Sequence, residues 1–372
     1  MSEVKVTALP SPPTGFGAAL SMGVEEEFLL VDAGTGAPAP AAGAVLGDAD
    51  GVLDLQAEIT RYQVESATSV CLTTAEIRDQ LVVSRQTLSD LAREHGTRVV
   101  ATGTPVFGAQ RPPPLTDDRR YRAIAQWYGP LVDGLTICGC HVHIGIPDEE
   151  TGVLISNHLR PWLPVLLAIS ANSPFFEGRD TGYASWRYVT WSPWPSAGAP
   201  PWFASAADYH RGTGTLRTSG AAMDAAMVYW DVRLSANHPT VELRVCDVAA
   251  TVDEAVLIAA LVRAVAATAV AGAPALPVSD LALRTSLWRA ARDGVGGLGV
   301  EPRTGQLVPA ADRVRALLEW ARPALQVHGD EELADEGVAR LLVDGDGAAR
   351  QRRAFRRRGS LTDVVDLLVE QT

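Results

Sequence analysis

Lysine is almost absent from this chain of 372 residues, which has a single example, Lys5, in a proline-rich N-terminal segment. The folded body is therefore expected to lack a Schiff-base lysine and the lysine of a phosphate-binding P-loop. If the protein handles phosphate, arginine and metal ions must do it. Positive charge is also in short supply: the formal net charge is −12, which argues against a broad basic surface for nucleic acid.

Cysteine is scarce as well, with four residues that form no Cys-x-x-Cys pair, so a disulfide framework is not expected. Uninterrupted apolar runs of twenty residues are missing. The two most apolar stretches, residues 153–176 and 255–276, are interrupted by His158, Arg160 and Arg263. Both are predicted to be buried helices. No signal pattern begins the chain, and a cytoplasmic protein is expected.

Residues 1–20 have the composition of a linker and are predicted to form a flexible leader, followed by one domain over 21–372. Alternating polar and apolar residues predict strands at 21–32 and 135–147, and two strands over 227–248 joined by a turn at 237–239. Apolar periodicity predicts a helix over 74–95 with Thr74 as its N-cap. Residues 172–203, rich in glycine, proline and tryptophan, are expected to form a long ordered loop.

The first predicted strand carries two carboxylates on one face, because Glu25 and Glu27 alternate with Val24 and Phe28. Unpaired, they would repel each other and raise each other's pKa, whereas a bridging Mg²⁺ would remove that penalty. A solvated strand face is the simpler alternative for this segment alone. Glu26 falls on the apolar face, which the pattern explains only if it lies near a strand end.

Two further segments place polar residues together on a strand face. Gln63 and Glu65 share one face, and His141 and His143 share another that is flanked by glycines. Glycines there would let another group approach the histidines. His-x-His is also a pattern of zinc hydrolases, and two structural histidines are the simplest alternative.

Glu242 and Arg244 share the polar face of a fourth predicted strand. They would form an in-sheet ion pair, or a metal ligand beside an arginine that clamps phosphate, and the spacing does not decide between the two. If the four strands belong to one sheet, its polar face carries four carboxylates. Such a face would be unstable without cations, and a Mg²⁺–ATP site would supply them.

Six motifs occur in the same order as in a known family: GVEEEFLLVD, QVESATSVC, GCHVHIGIP, NSPFFEGRDTGYASWR, WPSAG and HPTVELRVCDV. From about residue 22 to the C-terminus the chain resembles the carboxylate–amine ligases of the type-2 glutamate–cysteine ligase group, in their actinobacterial form. The resemblance implies an α+β fold similar to glutamine synthetase and glutamate–cysteine ligase, with a curved, largely antiparallel sheet and helices packed outside. It also implies that ATP phosphorylates a carboxylate, expected to be the γ-carboxylate of glutamate. Cysteine or another small amine would then attack the acyl phosphate.

The resemblance also implies roles for individual residues. Arg244 is expected to stabilise the transferring phosphoryl group, with Glu242 as a second catalytic residue. Arg187 is expected to bind the carboxylate of the acceptor, although stacking among tryptophans is the simpler alternative. Gln63 and Trp186 are expected in the substrate pocket, and related proteins often carry serine in place of this tryptophan. The expected metal ligands are Glu25, Glu27, Glu65, Glu242 and one or both of His141 and His143.

Two other functions compete with the ligase. A zinc-dependent hydrolase built on His141 and His143 would need more histidine ligands, and the other five of the seven histidines stand in no ligand motif. Four glutamates also favour Mg²⁺ over Zn²⁺. A non-catalytic ATP-binding protein on the same fold differs from the ligase only in failing to consume ATP. No nucleic acid or membrane partner is expected, and the family suggests a homodimer.

Overall fold

The computed structural model describes residues 20–49 and 54–372. Apart from Leu20, the predicted leader at 1–20 lies outside the described residues, as does Lys5. The rest of the chain contains one large antiparallel sheet with helices packed against it. The predicted α+β class and largely antiparallel sheet are confirmed, while the single domain over 21–372 stays a prediction.

The strands in the described residues are, in chain order, β1 (Met22–Asp32), β2 (Leu55–Ala57), β3 (Gln63–Ala67), β4 (Thr97–Val100), β5 (Gly139–Gly145), β6 (Phe175–Phe176), β7 (Arg179–Asp180), β8 (Val232–Leu234), β9 (Thr240–Asp247), β10 (Leu298–Val300) and β11 (Leu307–Pro309). The large sheet has the order β2–β3–β1–β5–β9–β8, and β4 pairs with the end of β1. Every pairing in it is antiparallel. The four strands predicted over 21–32, 135–147 and 227–248 are thus present, and they lie side by side in the order β1–β5–β9–β8.

The α-helices in the same residues are α1 (Ala42–Asp48), α2 (Thr74–Glu94), α3 (Arg119–Tyr128), α4 (Glu149–Leu159), α5 (Leu163–Ser170), α6 (Trp186–Trp191), α7 (Ala206–Thr218), α8 (Val252–Val270), α9 (Asp280–Asp293), α10 (Ala310–His328), α11 (Glu331–Asp344), α12 (Gly347–Arg358) and α13 (Leu361–Gln371). Helices α2, α5 and α8 pack against β1, β9 and β5 of the sheet. The strands turn apolar side chains such as Val142 and Leu243 toward this layer, and both are completely buried. The core therefore lies between one face of the sheet and the helices.

The two apolar stretches are core helices, as predicted. The segment Glu149–Ser170, which contains α4 and α5, has the length and hydropathy of a membrane span, but 89% of that window is buried inside the protein. Helix α8 is buried along most of its length. Arg263, which interrupts it, pairs with the buried carboxylate of Asp330. The apolar surfaces of α4, α5 and α8 are therefore buried in the protein core.

Helix α2 begins at Thr74, where the predicted helix begins, but its N-cap lies one residue earlier than predicted. Its N-cap is Thr73, whose hydroxyl accepts a hydrogen bond from the backbone N–H of Glu76, and the Glu76 carboxylate accepts one from the N–H of Thr73. This reciprocal pair is a capping box. The prediction of Thr74 as the cap is wrong because the glutamate three residues after Thr73 decides between the two threonines.

The segment 172–203 is more regular than the predicted long loop. It contains the two-stranded hairpin β6–β7 and the short helix α6. The hydroxyl of Ser185 caps α6 by accepting a hydrogen bond from the N–H of Tyr188. This helix carries Arg187 toward the sheet, so the segment positions a predicted site residue.

Glu26 lies in the middle of β1 on the helix-covered face, so the explanation by a strand end is wrong. Its carboxylate is fully buried and accepts hydrogen bonds of 2.6 and 3.0 Å from the guanidinium of Arg85 on α2. Arg85 also donates to the carbonyl groups of Ala249 and Ala250. A buried ion pair therefore joins α2, the sheet and the segment before α8.

Candidate active site

The face of the sheet opposite the helix layer lines a cavity of about 290 Å³. Strand register sets the predicted residues directly opposite one another, in the pairs Glu27 and Glu65, Glu25 and His141, and His143 and Glu242. Nine of the ten predicted site residues line this cavity: Glu25, Glu27, Gln63, Glu65, His141, His143, Arg187, Glu242 and Arg244. Residues separated by more than 200 positions in sequence thus meet in one place because their strands are neighbours.

Glu25 stands between the two histidines. One carboxylate oxygen lies 3.2 Å from Nδ1 of His141 and the other 3.2 Å from Nε2 of His143. Burial would raise the pKa of Glu25, but its hydrogen bonds with His141 and His143 outweigh burial, and the pKa lies well below the usual range. The other ring nitrogen of His143, Nδ1, hydrogen-bonds Thr240 Oγ1 at 2.8 Å. Thr240 therefore fixes the ring of His143, whose Nε2 faces the Glu25 carboxylate.

Glu242 is held by two arginines. Arg233, on the neighbouring strand β8, makes a bidentate contact of 2.8 and 3.1 Å, and Arg244 donates to the same carboxylate. Burial would raise the pKa of Glu242, but Arg244 and Arg233 hold it well below the usual range. The carboxylate is ionised, and its remaining lone pairs are available to a further cation.

The other end of the cavity is acidic. Glu27 accepts a hydrogen bond of 2.6 Å from the backbone N–H of Gly139, and burial raises its pKa despite the nearby His141. Burial and the carboxylates of Glu58, Glu25 and Glu27 raise the pKa of Glu65 well above its usual range. This clustering matches the prediction of a face that is unfavourable without cations.

Three side chains could hold one divalent cation. Glu25, His141 and Glu242 offer ligand atoms that all lie within 4.8 Å of one another. Nε2 of His141 is buried without a hydrogen-bond partner in the described part of the chain. Burial and the charge of Arg244 lower the pKa of His141, which favours the neutral imidazole that metal binding requires. With the acidic residues Glu27, Glu58 and Glu65 beside them, these donors fit a hard cation such as Mg²⁺.

Arg187 reaches the cavity from α6 and is only 5% exposed. Its guanidinium donates to the carbonyl groups of Val245 and Arg244 over long contacts of 3.4 Å, and its Nε has no hydrogen-bond partner among residues 20–49 and 54–372. A buried guanidinium with so few contacts retains the capacity to bind an anion bidentately. Among the described residues, Arg187 takes part in none of the cation–π contacts, so the alternative of an arginine stacked among tryptophans is not supported.

Two predicted substrate-binding residues are placed differently. Gln63 lines the cavity, but its amide nitrogen donates to the carbonyl of Ile137 at 2.6 Å, so the side chain also joins β3 to the segment before β5. Trp186 does not line the cavity. Its ring packs against Tyr183 and Phe176, with ring centroids 5.3 and 6.3 Å apart.

The sequence reasoning missed several cavity residues. Arg233 lies two positions after Asp231 in a short apolar strand, the same i, i+2 signal that revealed Glu242 and Arg244. Glu58 gives no such signal, because it follows the three-residue strand β2. Two aromatic rings, Tyr121 and Tyr229, come from a helix and a loop whose periodicity says nothing about a site.

A family model described as "Glutamate-cysteine ligase family 2" matches residues 21–367. Among curated proteins, the "Putative glutamate--cysteine ligase 2-2" of Mycolicibacterium vanbaalenii is 48% identical over 350 residues, covering 93% of this chain and 96% of that protein. The "Putative glutamate--cysteine ligase 2-1" of Saccharopolyspora erythraea is 45% identical over 355 residues, covering 95% of each. Similarity at this level extends over the whole sheet and its helices.

Solved structures confirm the fold. A glutamate–cysteine ligase from Francisella tularensis, determined in complex with AMP, superimposes with a TM-score of 0.66 at 13% identity and covers 97% of this chain and 89% of its own. A bifunctional glutathione synthetase from Pasteurella multocida gives a TM-score of 0.65 at 14% identity. That match covers 95% of this chain, which spans about half the length of the Pasteurella protein (52%). With the family model and the curated relatives, the chain belongs to glutamate–cysteine ligase family 2 and is an ATP-dependent enzyme of the glutamate–cysteine ligase type.

Proposed function

We propose that the protein joins the γ-carboxylate of glutamate to the amino group of cysteine or another small amine, using ATP and Mg²⁺ and passing through an acyl phosphate. The observation that carries this proposal is one cavity lined by an acidic cluster, Glu27, Glu58 and Glu65, and by two different arginines: Arg244 is paired with Glu242, and Arg187 makes only 3.4 Å contacts to carbonyl groups. The phosphates of ATP would need metal ions held by the acidic cluster, and a substrate carboxylate would need a separate cation to bind it.

Metal binding is proposed for Glu25, His141 and Glu242, with Glu27 and Glu65 supplying further carboxylate oxygens. Mg²⁺ bound there would neutralise charge on the phosphates of ATP and on the group in transfer. His143 is the less suitable ligand of the two histidines, because among the described residues it lies outside the cluster of ligand atoms close enough to share an ion, and Thr240 already occupies its Nδ1. Its role in the proposal is to fix the orientation of the Glu25 carboxylate.

Arg244 is proposed to stabilise the phosphoryl group as it passes from ATP to the acid. Its ion pair with Glu242 fixes the guanidinium before substrate arrives, so little reorganisation accompanies the reaction. Arg233 holds Glu242 from the opposite side and keeps this carboxylate in place. Together the three charged groups form a rigid unit on two paired strands, with Arg244 as the member that contacts substrate.

Arg187 is proposed to bind the carboxylate of the acceptor and so to place the acceptor amine near the acyl phosphate. Its burial strengthens an ion pair with substrate, because solvent screening is reduced. Gln63 and Trp186 stay predicted substrate residues. For Trp186 to contact substrate, its ring would have to leave its present packing against Tyr183 and Phe176.

The test is phosphate release from ATP and Mg²⁺ with glutamate and a panel of amines that includes cysteine, followed by mass spectrometry of the products. Release that requires both acid and amine, with a product at the condensed mass, supports the ligase. Release with acid alone indicates that the acyl phosphate forms but the panel lacks the acceptor. ATP binding without release under any pairing would favour the non-catalytic alternative.

The zinc-hydrolase alternative receives little support from the geometry. In the described part of the chain, the one cluster of ligand atoms close enough to share an ion contains a single histidine, His141. A cytoplasmic location and a homodimer remain expectations of the proposal. Light scattering coupled to size-exclusion chromatography would measure the oligomeric state directly.

A further inference from the structure

Asp247 lies at the end of β9 and is completely buried, outside the lining of the cavity. Its Oδ2 accepts hydrogen bonds from the hydroxyl of Ser173 at 2.7 Å and the backbone N–H of Asn172 at 2.9 Å. Its Oδ1 accepts one from the hydroxyl of Ser185 at 2.7 Å. All three donors are neutral and belong to the segment that leads into α6.

Both serines also accept hydrogen bonds from the first turn of α6. The oxygen of Ser173 accepts a hydrogen bond of 3.1 Å from the backbone N–H of Arg187, and the oxygen of Ser185 accepts one of 3.2 Å from the N–H of Tyr188. Each hydroxyl has one proton, which is directed to Asp247, so its lone pairs face the free N–H groups of the helix. The carboxylate therefore sets the orientation of both caps.

Asp247 also places a negative charge near Arg187 without occupying the donors of its guanidinium. Burial raises the pKa of Asp247, and the positive charge of Arg187 is the main influence that opposes the rise. Asp247 and Arg187 attract each other without forming a salt bridge, because the carboxylate oxygens of Asp247 accept hydrogen bonds from Ser173, Ser185 and Asn172 instead. The guanidinium is stabilised by a nearby negative charge and still keeps its donors for a ligand.

We propose that Asp247 is a positioning residue for Arg187: through Ser173 and Ser185 it fixes the first turn of α6, so that the guanidinium lies unpaired at the cavity wall. The inference rests on the proposed function, in which Arg187 binds the carboxylate of the acceptor. Strand β9 would then contribute to both halves of the reaction, directly through Arg244 and indirectly through Asp247.

An aspartate suits this position because three donors converge on it. In Asp247→Asn, the amide nitrogen would face Ser173 and Asn172 or would face Ser185, and at least one donor would lose its acceptor. The first turn of α6 should loosen. Supporting residues of this kind, which orient a group that contacts ligand, typically change affinity or activity by roughly 10- to 100-fold.

The experiment compares full-length wild type, Asp247→Asn and the double variant Ser173→Ala/Ser185→Ala. The KM for acceptor, acid and ATP and the kcat are measured separately. We expect KM for the acceptor to rise about 10- to 100-fold, while KM for ATP changes less than about threefold. The matched control is Asp330→Asn, a buried aspartate whose partners Thr74 and Arg263 lie outside the cavity lining. It should lose thermal stability without changing KM for the acceptor.

An unchanged KM for the acceptor in Asp247→Asn would overturn the inference, and so would an equal loss for all three substrates. Wild type that releases no phosphate with any acid and amine would instead refute the proposed function. In that case a crystal structure of Asp247→Asn decides the positioning role. A guanidinium of Arg187 in its wild-type position counts against the inference, and a displaced one supports it.

Discussion

A Cβ atom on Gly139 would lie 2.3 Å from Nη2 and 2.9 Å from Cζ of Arg187. The guanidinium therefore passes against the backbone of β5 at a position where any side chain would collide with it. The same residue donates its N–H to Glu27. Gly139 thus donates a hydrogen bond to Glu27 and, lacking a side chain, leaves space for the guanidinium of Arg187.

Gly139→Ala should displace Arg187 and raise KM for the acceptor by roughly 10- to 100-fold, since shifts of about 1 Å in a positioned group have effects of this size. Binding of Mg²⁺–ATP, measured by calorimetry, should change much less. Gly23→Ala on β1 is the control, because its Cβ would meet only ordinary contacts of 3.8 Å or more. Equal behaviour of the two variants would argue against the tight approach.

Glu65→Gln should have opposite effects on stability and metal binding. Burial and the neighbouring carboxylates raise the pKa of Glu65, so replacing this carboxyl by a neutral amide should stabilise the metal-free protein. The affinity for Mg²⁺ should fall. Thermal unfolding in EDTA and calorimetric Mg²⁺ titration measure the two effects, and a less stable metal-free variant would contradict the prediction.

Arg85→Met should reduce the free energy of unfolding by about 3–5 kcal/mol, because it leaves the buried carboxylate of Glu26 without its partner. The double variant Glu26→Gln/Arg85→Met should recover part of this loss, since no charge then remains buried. Urea denaturation of the single and double variants gives the comparison. A double variant less stable than Arg85→Met would show that the ion pair is not the source of the effect.

Arg244→Ala should lower kcat by an amount equivalent to about 2–4 kcal/mol if the guanidinium stabilises the transferring phosphoryl group. Glu242→Gln should abolish most ATP turnover with the fold retained, which circular dichroism checks. Glutamine is preferred to alanine because an amide oxygen at the Oε1 position still accepts from Arg233 Nη2 and Arg244 Nη1, and only the contact of Arg233 Nε with Oε2 is lost. Wild-type turnover in either variant would remove that residue from the chemistry.

Asp231 should make stability depend on pH. Burial raises its pKa to about 7, despite the hydrogen bond from Tyr188, whereas the usual value is 3.8. The unfolded chain therefore loses the proton of Asp231 at a lower pH than the folded protein does. As a result, the stability that protonated Asp231 contributes at low pH is lost as pH rises from about 4 to about 7. Relative to wild type, Asp231→Asn should gain on the order of 4 kcal/mol in unfolding free energy over that range. Urea denaturation at four pH values measures the difference, and a constant difference would contradict it.

Strand alternation was enough to find most of the site. Glu25, Glu27, His141 and Arg244 belong to strands in which the intervening positions are apolar, except for Glu26, so period 2 assigns them to one face. The order of strands in the sheet does not follow from that pattern. The family resemblance implied a largely antiparallel sheet, and the structure supplied both the strand order and the cross-strand partners, such as Glu27 opposite Glu65.

What alternation could not predict depends on groups far apart in sequence. Glu26 looked misplaced because its partner, Arg85, lies on a helix 59 positions later. Trp186 follows the cap Ser185 on α6, and the turn of so short a helix decides which neighbour faces the cavity. Tertiary packing turned Arg187 inward and Trp186 toward Phe176, a choice that local sequence does not encode.

The placement of Arg187 on α6, outside the strands of the large sheet, has a consequence for how such enzymes diversify. The groups proposed to handle metal and phosphate are fixed on β1, β3, β5 and β9 by register. The proposed binding of the acceptor by Arg187 depends instead on the segment 172–203, which contributes no strand to the large sheet. On the proposed function, insertions or exchanges in this segment would alter the choice of amine and leave the residues that activate the acid unchanged.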